Sequence, residues 1–361
     1  MTRQNLRFAV FGNSFQPRKS HSIFRVLAFL EKQGCQVEFD RSFYDFLQEN
    51  HDLDLGKYAT FEGDDFEADY VLSMGGKRIR PVLMLLGYNL YKEDTDKILM
   101  NAIALETYHN YTLLHDDLMD QADLRRGHET VHKKWDSNTA ILSGDSMLVL
   151  AYERMAQCDS RHLADVLRLF TTTALEIGEG QQYDMEFETR DDVREEEYIE
   201  MIRLKTSVLL ACALKIGAIL AEAPAEDADN LYKFGEQIGL AFQLQDDYLD
   251  VYGDSKVFGK KIGGDITSNK KTFMLINAFS HANEAQRQEL EKWVNAKSFD
   301  REEKIAAVTR LYNEIGIDKM AQAKIAYYFE QSKKYLDAVQ VPAERKEELQ
   351  KYAQRMMKRK Y

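Results

Sequence analysis

The chain has 361 residues, of which 60 are acidic and 48 are lysine or arginine, and its formal net charge is −12. This acidic balance argues against nucleic acid as a partner, because binding to a phosphate backbone depends on positive charge. The three cysteines show no CxxC spacing, which argues against a disulfide framework and a zinc site. No apolar run approaches the ~20 residues that span a bilayer, so we expect a cytoplasmic protein without a membrane span.

The first seventy residues contain short apolar runs and one amphipathic stretch. Residues 6–11 and 36–39 have the pattern of strands, and residues 22–32 between them have the pattern of a helix. We therefore predict a small βαβ-like segment at the N-terminus.

Three stretches of this segment resemble the opening of bacterial NAD kinases. They are RFAVFGNSFQPRKS from Arg7, FYDFL at residues 43–47, and FEGDDFEADYVLSMGG ending at Gly76. In that family the glycine pair continues into a GGDGT motif with the catalytic aspartate. Here it continues as GGKRIRP, so kinase activity is not expected. Residues 1–70 are predicted to be a kinase-like fragment without its catalytic motif, fused to a second domain at residues 71–361.

From Pro81 onward, apolar residues recur at helical spacing, and little of the sequence alternates with the period of two that strands require. The predicted helices cover residues 82–91, 98–120, 139–155, 163–179, 195–221, 228–251 and 272–282, with further helices to the end. The predicted fold class of this region is therefore all-α, a helix bundle.

Two acidic clusters of the same form, DDLMD and DDYLD, lie far apart in this helical region. The first and last carboxylates of each cluster are one helical turn apart and project from nearly one face. Mg²⁺ prefers such oxygens together with water and substrate phosphate. A single acidic helix face is often merely solvated, but the matched second copy favours a site for Mg²⁺ and a diphosphate. The predicted metal ligands are Asp116, Asp117, Asp120, Asp246, Asp247 and Asp250.

Basic and polar side chains accompany both clusters, and a diphosphate needs such counter-charge on its remaining oxygens. Taken singly, each is more often a surface residue than a ligand. His109 lies two helical turns before Asp116 and so on nearly the same face. The predicted substrate-binding residues are Gly76, Lys77, Arg80, His109, Arg125, Arg126, Lys205, Thr206, Gln243, Lys260 and Lys270.

Six motifs occur in the order found in trans-isoprenyl diphosphate synthases of the polyprenyl synthetase family. They are GGKRIRP, DDLMD with DLRRG, GQQYDM, the Lys205 and Thr206 pair, FQLQDDYLD and GKKIGGDI. From about Tyr70 to the C-terminus, the chain resembles this family. The resemblance implies an isoprenoid-synthase helix bundle, a homodimer, and three Mg²⁺ ions per site with substrate bound.

The resemblance also implies a reaction, in which isopentenyl diphosphate condenses head to tail with an allylic diphosphate. Both acidic clusters would hold Mg²⁺ against the allylic diphosphate, assisted by Arg125, Lys205, Gln243 and Lys260. Isopentenyl diphosphate would be held by Gly76, Lys77, Arg80, His109 and Arg126. The residues expected to be catalytic are Asp116, Asp117, Asp120, Lys205, Asp246 and Lys260.

Product length should depend on the apolar pocket behind the first cluster. By resemblance, Tyr111 is a bulky floor for that pocket, and Thr112 beside it is smaller. This combination predicts a short product, farnesyl or geranylgeranyl diphosphate.

The same residues bear on whether the chain belongs to another class of protein. A terpene cyclase or diphosphatase has no need for a second diphosphate site, so it is disfavoured. The alternative that stays open is a catalytically impaired or partner-dependent synthase-like subunit, because the N-terminal fusion replaces the usual first helical segment. The charged tail at residues 355–361 is interpreted as solvated, with a lid over the second diphosphate as the alternative.

Overall fold

The computed structural model of the chain describes residues 7–10, 27, 36–50, 55–61, 67–253 and 262–357. The predicted helix at 22–32, apart from Leu27, lies outside the described residues. Lys260 and residues 358–361 of the charged tail also lie outside them.

A three-stranded parallel sheet occupies the N-terminal segment, in the order β1 (Arg7–Val10), β2 (Gln36–Asp40) and β3 (Ala59–Phe61). The two predicted strands are thus confirmed as β1 and β2, whereas β3 was not predicted. Helix α1 (Arg41–Asn50) follows β2 directly and includes the FYDFL stretch. Phe39 of β2 is fully buried.

The rest of the described chain is almost entirely helical, which confirms the all-α prediction. The helices are α2 (Glu67–Ser73), α3 (Ile79–Asn89), α4 (Leu99–Met119), α5 (Val131–Lys134), α6 (Ser137–Met155), α7 (Leu163–Thr189), α8 (Glu195–Ile202), α9 (Val208–Leu220), α10 (Ala225–Tyr252), α11 (Gly264–Ser268), α12 (Phe273–His281), α13 (Glu284–Val294), α14 (Arg301–Ile315), α15 (Ile317–Ala338) and α16 (Ala343–Met357). None of these helices is long and apolar enough to cross a membrane.

The helix predicted at 163–179 continues to Thr189, and two further local features were not predicted. The helix predicted at 195–221 runs without a break from Glu195 to Leu220, but residues Arg203–Ser207 form a wider π turn between α8 and α9. A short hairpin of β4 (Leu124–Arg125) and β5 (His128–Glu129) follows α4 and was not predicted.

The chain divides into two compact units. Unit 1 comprises Met1–Arg78 and Ile103–Arg154, and unit 2 comprises Ile79–Ala102 and Met155–Tyr361. The boundary near residue 70 between a kinase-like fragment and a helical domain stays a prediction.

Each unit has its own apolar core. In unit 1, Leu114 of α4 packs with Val131, Ala140 and Met147, and Tyr111 packs against this cluster. In unit 2, α10 packs along α15 and α9, and α9 packs along α3. Eleven residues of the thirteen in α9 are buried, so this helix forms the centre of unit 2.

Candidate active site

The first acidic cluster lies where α4 ends. Asp116 and Asp117 are in its last turn, and the backbone N–H of Asp120 donates to the carbonyl of Asp116 at 2.8 Å. The hairpin β4–β5 follows, with Arg126 (φ 54°) and Gly127 (φ 85°) at its two turn positions. Positive φ at both positions is typical of a two-residue hairpin turn. The hairpin thereby brings the two predicted arginines next to the acidic cluster.

Arg125 binds the middle carboxylate of this cluster. Its Nε lies 2.9 Å from each carboxylate oxygen of Asp117, and its Nη2 also donates to Asp117 Oδ1. The same Nη2 lies 3.6 Å from Asp116 Oδ2. Burial raises the pKa of the Asp117 carboxyl, although the Arg125 guanidinium opposes this shift. Asp117 is buried, whereas Asp116 is half-buried and Asp120 is exposed.

Arg126 binds the glycine pair of the GGKRIRP motif within unit 1. Its Nη1 donates to the carbonyl of Gly75. A Cβ on Gly76, whose φ is +136°, would lie 2.9 Å from the Arg126 guanidinium. The backbone conformation strongly favours glycine there, and any side chain would also displace the Arg126 guanidinium. Two predicted substrate-binding elements are therefore in direct contact.

The next residues of the motif have different surroundings. Arg78 donates to the Glu106 carboxylate of α4 and, at 2.7 Å, to the carbonyl of Leu72. Lys77 is exposed and Arg80 is half-buried at the start of α3. Arg78 thus ties the loop to α4.

The other predicted residues of α4 lie one to two turns before the acidic cluster. Thr112 donates to the carbonyl of His109 at 2.8 Å. The ring of Tyr111 is 5.5 Å from that of Tyr108 and 4.9 Å from that of His115, measured between ring centres. Burial raises the pKa of Tyr111. Tyr111 is thus held by two rings, and its predicted role as a pocket floor stays a prediction.

The second acidic cluster lies in the last turns of α10, in unit 2. Asp247 is buried, and it accepts hydrogen bonds from Tyr198 Oη and, at 3.0 Å, from Gln243 Nε2. Burial and the negative charge of Asp265 raise the pKa of Asp247 to about 7, although the two donors oppose the shift. Asp250 Oδ2 accepts from the backbone N–H of Asp265 at 2.9 Å.

The π turn carries Lys205 and Thr206. Lys205 Nζ donates to Asp184 Oδ2 at 2.6 Å, and Lys270 Nζ lies 3.6 Å from the same oxygen. Burial of Asp184 disfavours its charge, but the two ammonium groups outweigh burial and lower its pKa. Thr206 Oγ1 donates to Gln243 Oε1 at 3.1 Å. Lys205 and Lys270 therefore meet at the carboxylate of Asp184, and Thr206 and Gln243 form a separate hydrogen-bonded pair.

Sequence reasoning missed three residues of this network. Asp184 belongs to the GQQYDM motif and Asp265 to the GKKIGGDI motif, so both stood in recognised patterns without an assigned role. Tyr198 carried no signal, because its partner Asp247 is 49 positions away.

The donor chemistry of both clusters fits Mg²⁺. Within the described ranges, no three acidic, histidine or cysteine side chains form a complete metal site. Mg²⁺ usually keeps several waters and takes substrate phosphate oxygens, so a partial set of carboxylates suits it. The oxygens of Asp117 and Asp247 already accept hydrogen bonds, and the metal role of all six aspartates stays a prediction.

Residues 67–313 match the Polyprenyl synthetase family, and the chain belongs to this family. A short chain isoprenyl diphosphate synthase of Methanocaldococcus jannaschii is 38% identical, over 76% of this chain and 83% of that protein. A geranylgeranyl diphosphate synthase of Methanosarcina mazei is 39% identical, over 75% of this chain and 82% of that protein.

Solved structures show the same fold. A crystal structure of a geranylgeranyl pyrophosphate synthase has a TM-score of 0.78 and 43% identity, and covers 81% of this chain and 91% of that one. A geranylgeranyl pyrophosphate synthetase from Pyrococcus horikoshii has a TM-score of 0.76 and 32% identity, with 81% and 89% coverage. The predicted isoprenoid-synthase bundle is confirmed. The family match begins at residue 67, so the kinase resemblance before it stays a prediction.

Proposed function

We propose that this chain is a Mg²⁺-dependent short-chain trans-prenyltransferase, which condenses isopentenyl diphosphate with an allylic diphosphate to give farnesyl or geranylgeranyl diphosphate. The proposal rests on the cationic or amide side chains that lie beside each acidic cluster and form hydrogen bonds there. The relatives of the chain are named as synthases of such products. A (2E,6E)-farnesyl diphosphate synthase of Mycobacterium bovis, 34% identical over 77% of this chain and 78% of that protein, also belongs to this group of relatives.

Ionisation of the allylic diphosphate breaks its C–O bond, so that diphosphate leaves as an anion and an allylic cation remains. This step demands positive charge at the diphosphate oxygens. Asp116, Asp120, Asp246 and Asp250, with Asp117 and Asp247, are the proposed holders of three Mg²⁺ ions. When bound, Mg²⁺ supplies charge stabilisation to the departing diphosphate.

Lys205 and Lys270 add to this charge. Both ammonium groups lie at the Asp184 carboxylate in unit 2, and the charge of Lys270 also acts on the Asp247 carboxyl of the second cluster. Lys260 is proposed to act with them, from outside the described residues.

Isopentenyl diphosphate is proposed to bind the loop that contains Gly76 and Lys77, with Arg80, His109 and Arg126. The support is that Arg126 donates to the Gly75 carbonyl and packs against Gly76, so that a guanidinium and a side-chain-free backbone lie together. An arginine and a glycine loop are well suited to a phosphate group.

A homodimer is also proposed. Helix α6 exposes an apolar stripe in which Leu142 is 66% exposed and Val149 is 68% exposed. These two side chains are seven positions apart and so lie on the same face of the helix. A second copy of the chain would cover this stripe. The cytoplasmic location stays a prediction.

The test is incubation of the purified protein with labelled isopentenyl diphosphate, Mg²⁺ and, in turn, five-, ten- and fifteen-carbon allylic diphosphates, followed by sizing of the products. We expect a single product of fifteen or twenty carbons, lost in Asp116→Ala and on chelation of Mg²⁺, and retained in the control Asp165→Ala. Asp165 is an exposed residue in the first turn of α7. Failure to elongate any primer would contradict the proposal and favour the partner-dependent alternative.

A further inference from the structure

We propose that Tyr198 is a positioning residue of the synthase, which fixes Thr206 and the π turn bearing Lys205 through Asp247 and Gln243. The inference rests on the proposed function and deepens it. Tyr198 lies seven positions before Lys205, in α8, and belongs to none of the motifs recognised in the sequence.

Three hydrogen bonds form a directed chain within unit 2. The Tyr198 hydroxyl donates to Asp247 Oδ2, and Gln243 Nε2 donates to the other oxygen of that carboxylate at 3.0 Å. Thr206 Oγ1 then donates to Gln243 Oε1 at 3.1 Å. We call these four residues the Tyr198 relay.

Each member of the Tyr198 relay limits the orientation of the next. In its ionised form the Asp247 carboxylate only accepts, so it orients the amide of Gln243 with the nitrogen towards itself. The oxygen of that amide is then presented to the hydroxyl of Thr206. Without Tyr198, Asp247 loses one of its two described donors, and its carboxylate is free to rotate about its side-chain bonds.

Burial makes the Tyr198 relay hard to replace by water. Tyr198 is 1% exposed and Asp247 is 5% exposed. A buried acceptor that loses its donor is left without compensation, because no bulk solvent reaches it. A phenylalanine at position 198 keeps the ring packing, and it removes the hydroxyl alone.

The π turn is the element that needs such fixing. A π turn departs from the regular α-helical hydrogen-bond pattern and occurs frequently at functional sites. Packing holds the turn on one side, where a Cβ on Gly180 would lie 2.4 Å from the Lys205 backbone nitrogen. The Tyr198 relay links Thr206 of the same turn to α10, and so fixes the residue adjacent to Lys205.

The experiment compares Tyr198→Phe with wild type, using steady-state kinetics for both substrates and calorimetric binding of inorganic diphosphate in the presence of Mg²⁺. Loss of a partner that orients a binding group commonly lowers affinity or activity about 10- to 100-fold. We expect kcat/KM for the allylic diphosphate and affinity for inorganic diphosphate to fall by an amount in this range. The KM for isopentenyl diphosphate is expected to stay unchanged, since the Tyr198 relay does not include its proposed ligands.

A matched control is Tyr91→Phe. Tyr91 also donates to a buried aspartate of unit 2, with its hydroxyl 2.7 Å from Asp227 Oδ2, but this pair is not part of the Tyr198 relay. We expect a comparable fall in melting temperature with wild-type kinetics. Equal kinetic losses in Tyr91→Phe and Tyr198→Phe would overturn the inference, because both would then reflect a destabilised fold.

The other end of the Tyr198 relay gives a second test, which also serves if Tyr198→Phe fails to fold. Thr206→Val removes the donor to Gln243, and Thr206→Ser keeps it. We expect loss in the valine variant, recovery in the serine variant, and a non-additive double variant of Tyr198→Phe with Thr206→Val. Additive losses, or equal activity of valine and serine, would overturn the inference. A wild-type protein without condensation activity would contradict the proposed function, while diphosphate binding would still test the Tyr198 relay.

Discussion

The carboxylate of Asp184 contacts two ammonium groups, so its contribution to the free energy of unfolding depends on pH. Its pKa is lowered in the folded protein, because Lys205 and Lys270 outweigh the effect of its burial. The unfolded chain therefore binds more protons than the folded chain at acidic pH. The stabilisation is complete above the unfolded pKa of about 3.9 and is lost as the pH falls through the folded value.

We accordingly predict that Asp184→Asn lowers the free energy of unfolding at pH 7 by about 1–3 kcal/mol, since the negative charge that binds two ammonium groups is lost. The difference from wild type should shrink as the pH is lowered below about 4. Urea unfolding at pH 7 and at a series of acidic values measures both effects, with the exposed Asp165→Asn as the control. A difference that is independent of pH would show that charge is not its cause.

At the residue scale, the sequence predicted which side chains carry the chemistry, but it did not predict which residues contact one another. The carboxylates of Asp116 and Asp246 stand in repeated motifs, and repetition makes them recognisable. That Asp117 binds Arg125 could not be predicted, because the contact depends on the turn at Arg126 and Gly127. The bond between Tyr198 and Asp247 joins separate helices, and no local pattern encodes such a pair.

At the scale of elements, the predicted helices agree with the structure wherever an apolar stripe recurs every 3.6 residues. The helix predicted over 195–221 is confirmed as continuous from Glu195 to Leu220, but its π geometry at Arg203–Ser207 was not predicted. Helix α9 after this turn is apolar on nearly all sides, so a change of phase leaves no trace in its pattern. The hairpin β4–β5 was missed because its strands have only two residues each, too few to show alternation.

Two glycines of α7 provide a matched test of how the π turn is held. A Cβ on Gly180 would lie 2.4 Å from the Lys205 backbone nitrogen, whereas a Cβ on Gly178 meets nothing within 4 Å. We predict that Gly180→Ala costs about 1–3 kcal/mol through overpacking and lowers kcat, because the turn must move. Gly178→Ala should stabilise the protein by about 0.5–1 kcal/mol. Thermal unfolding and the condensation assay measure both, and equal behaviour of the two variants would contradict the proposed packing role.

At the scale of the whole molecule, no local sequence pattern predicts the division into two units. Unit 1 combines residues 1–78 with residues 103–154, so the first acidic cluster shares a compact unit with the segment that precedes the family match. The second cluster belongs to unit 2. Sequence patterns give helices one at a time, and they do not specify which distant segments join.

The exposed stripe of α6 supports a prediction about assembly. The double variant Leu142→Lys with Val149→Lys places charge where a second copy is proposed to pack, and burial of unpaired charge is costly. We predict that wild type has the mass of a dimer in solution and that the double variant has half that mass, measured by light scattering after gel filtration. Gln288→Lys, an exposed change on α13, should leave the mass unchanged. A monomeric wild type would contradict the proposal.

The π turn at Arg203–Ser207 also bears on which insertions and deletions this gene tolerates. An in-frame loss of one codon there would allow a regular helix to run from Glu195 to Leu220, and local backbone regularity would improve. A π turn holds one more residue than the α turn that would replace it, so the flanking helices would keep nearly the same phase, and the change would fall on the residues inside the turn. Lys205 and Thr206 would no longer keep their directions relative to Tyr198. We therefore expect such a deletion to produce a chain that folds more readily at this point and has lost its catalytic competence, so that selection for activity retains the extra residue against local stability.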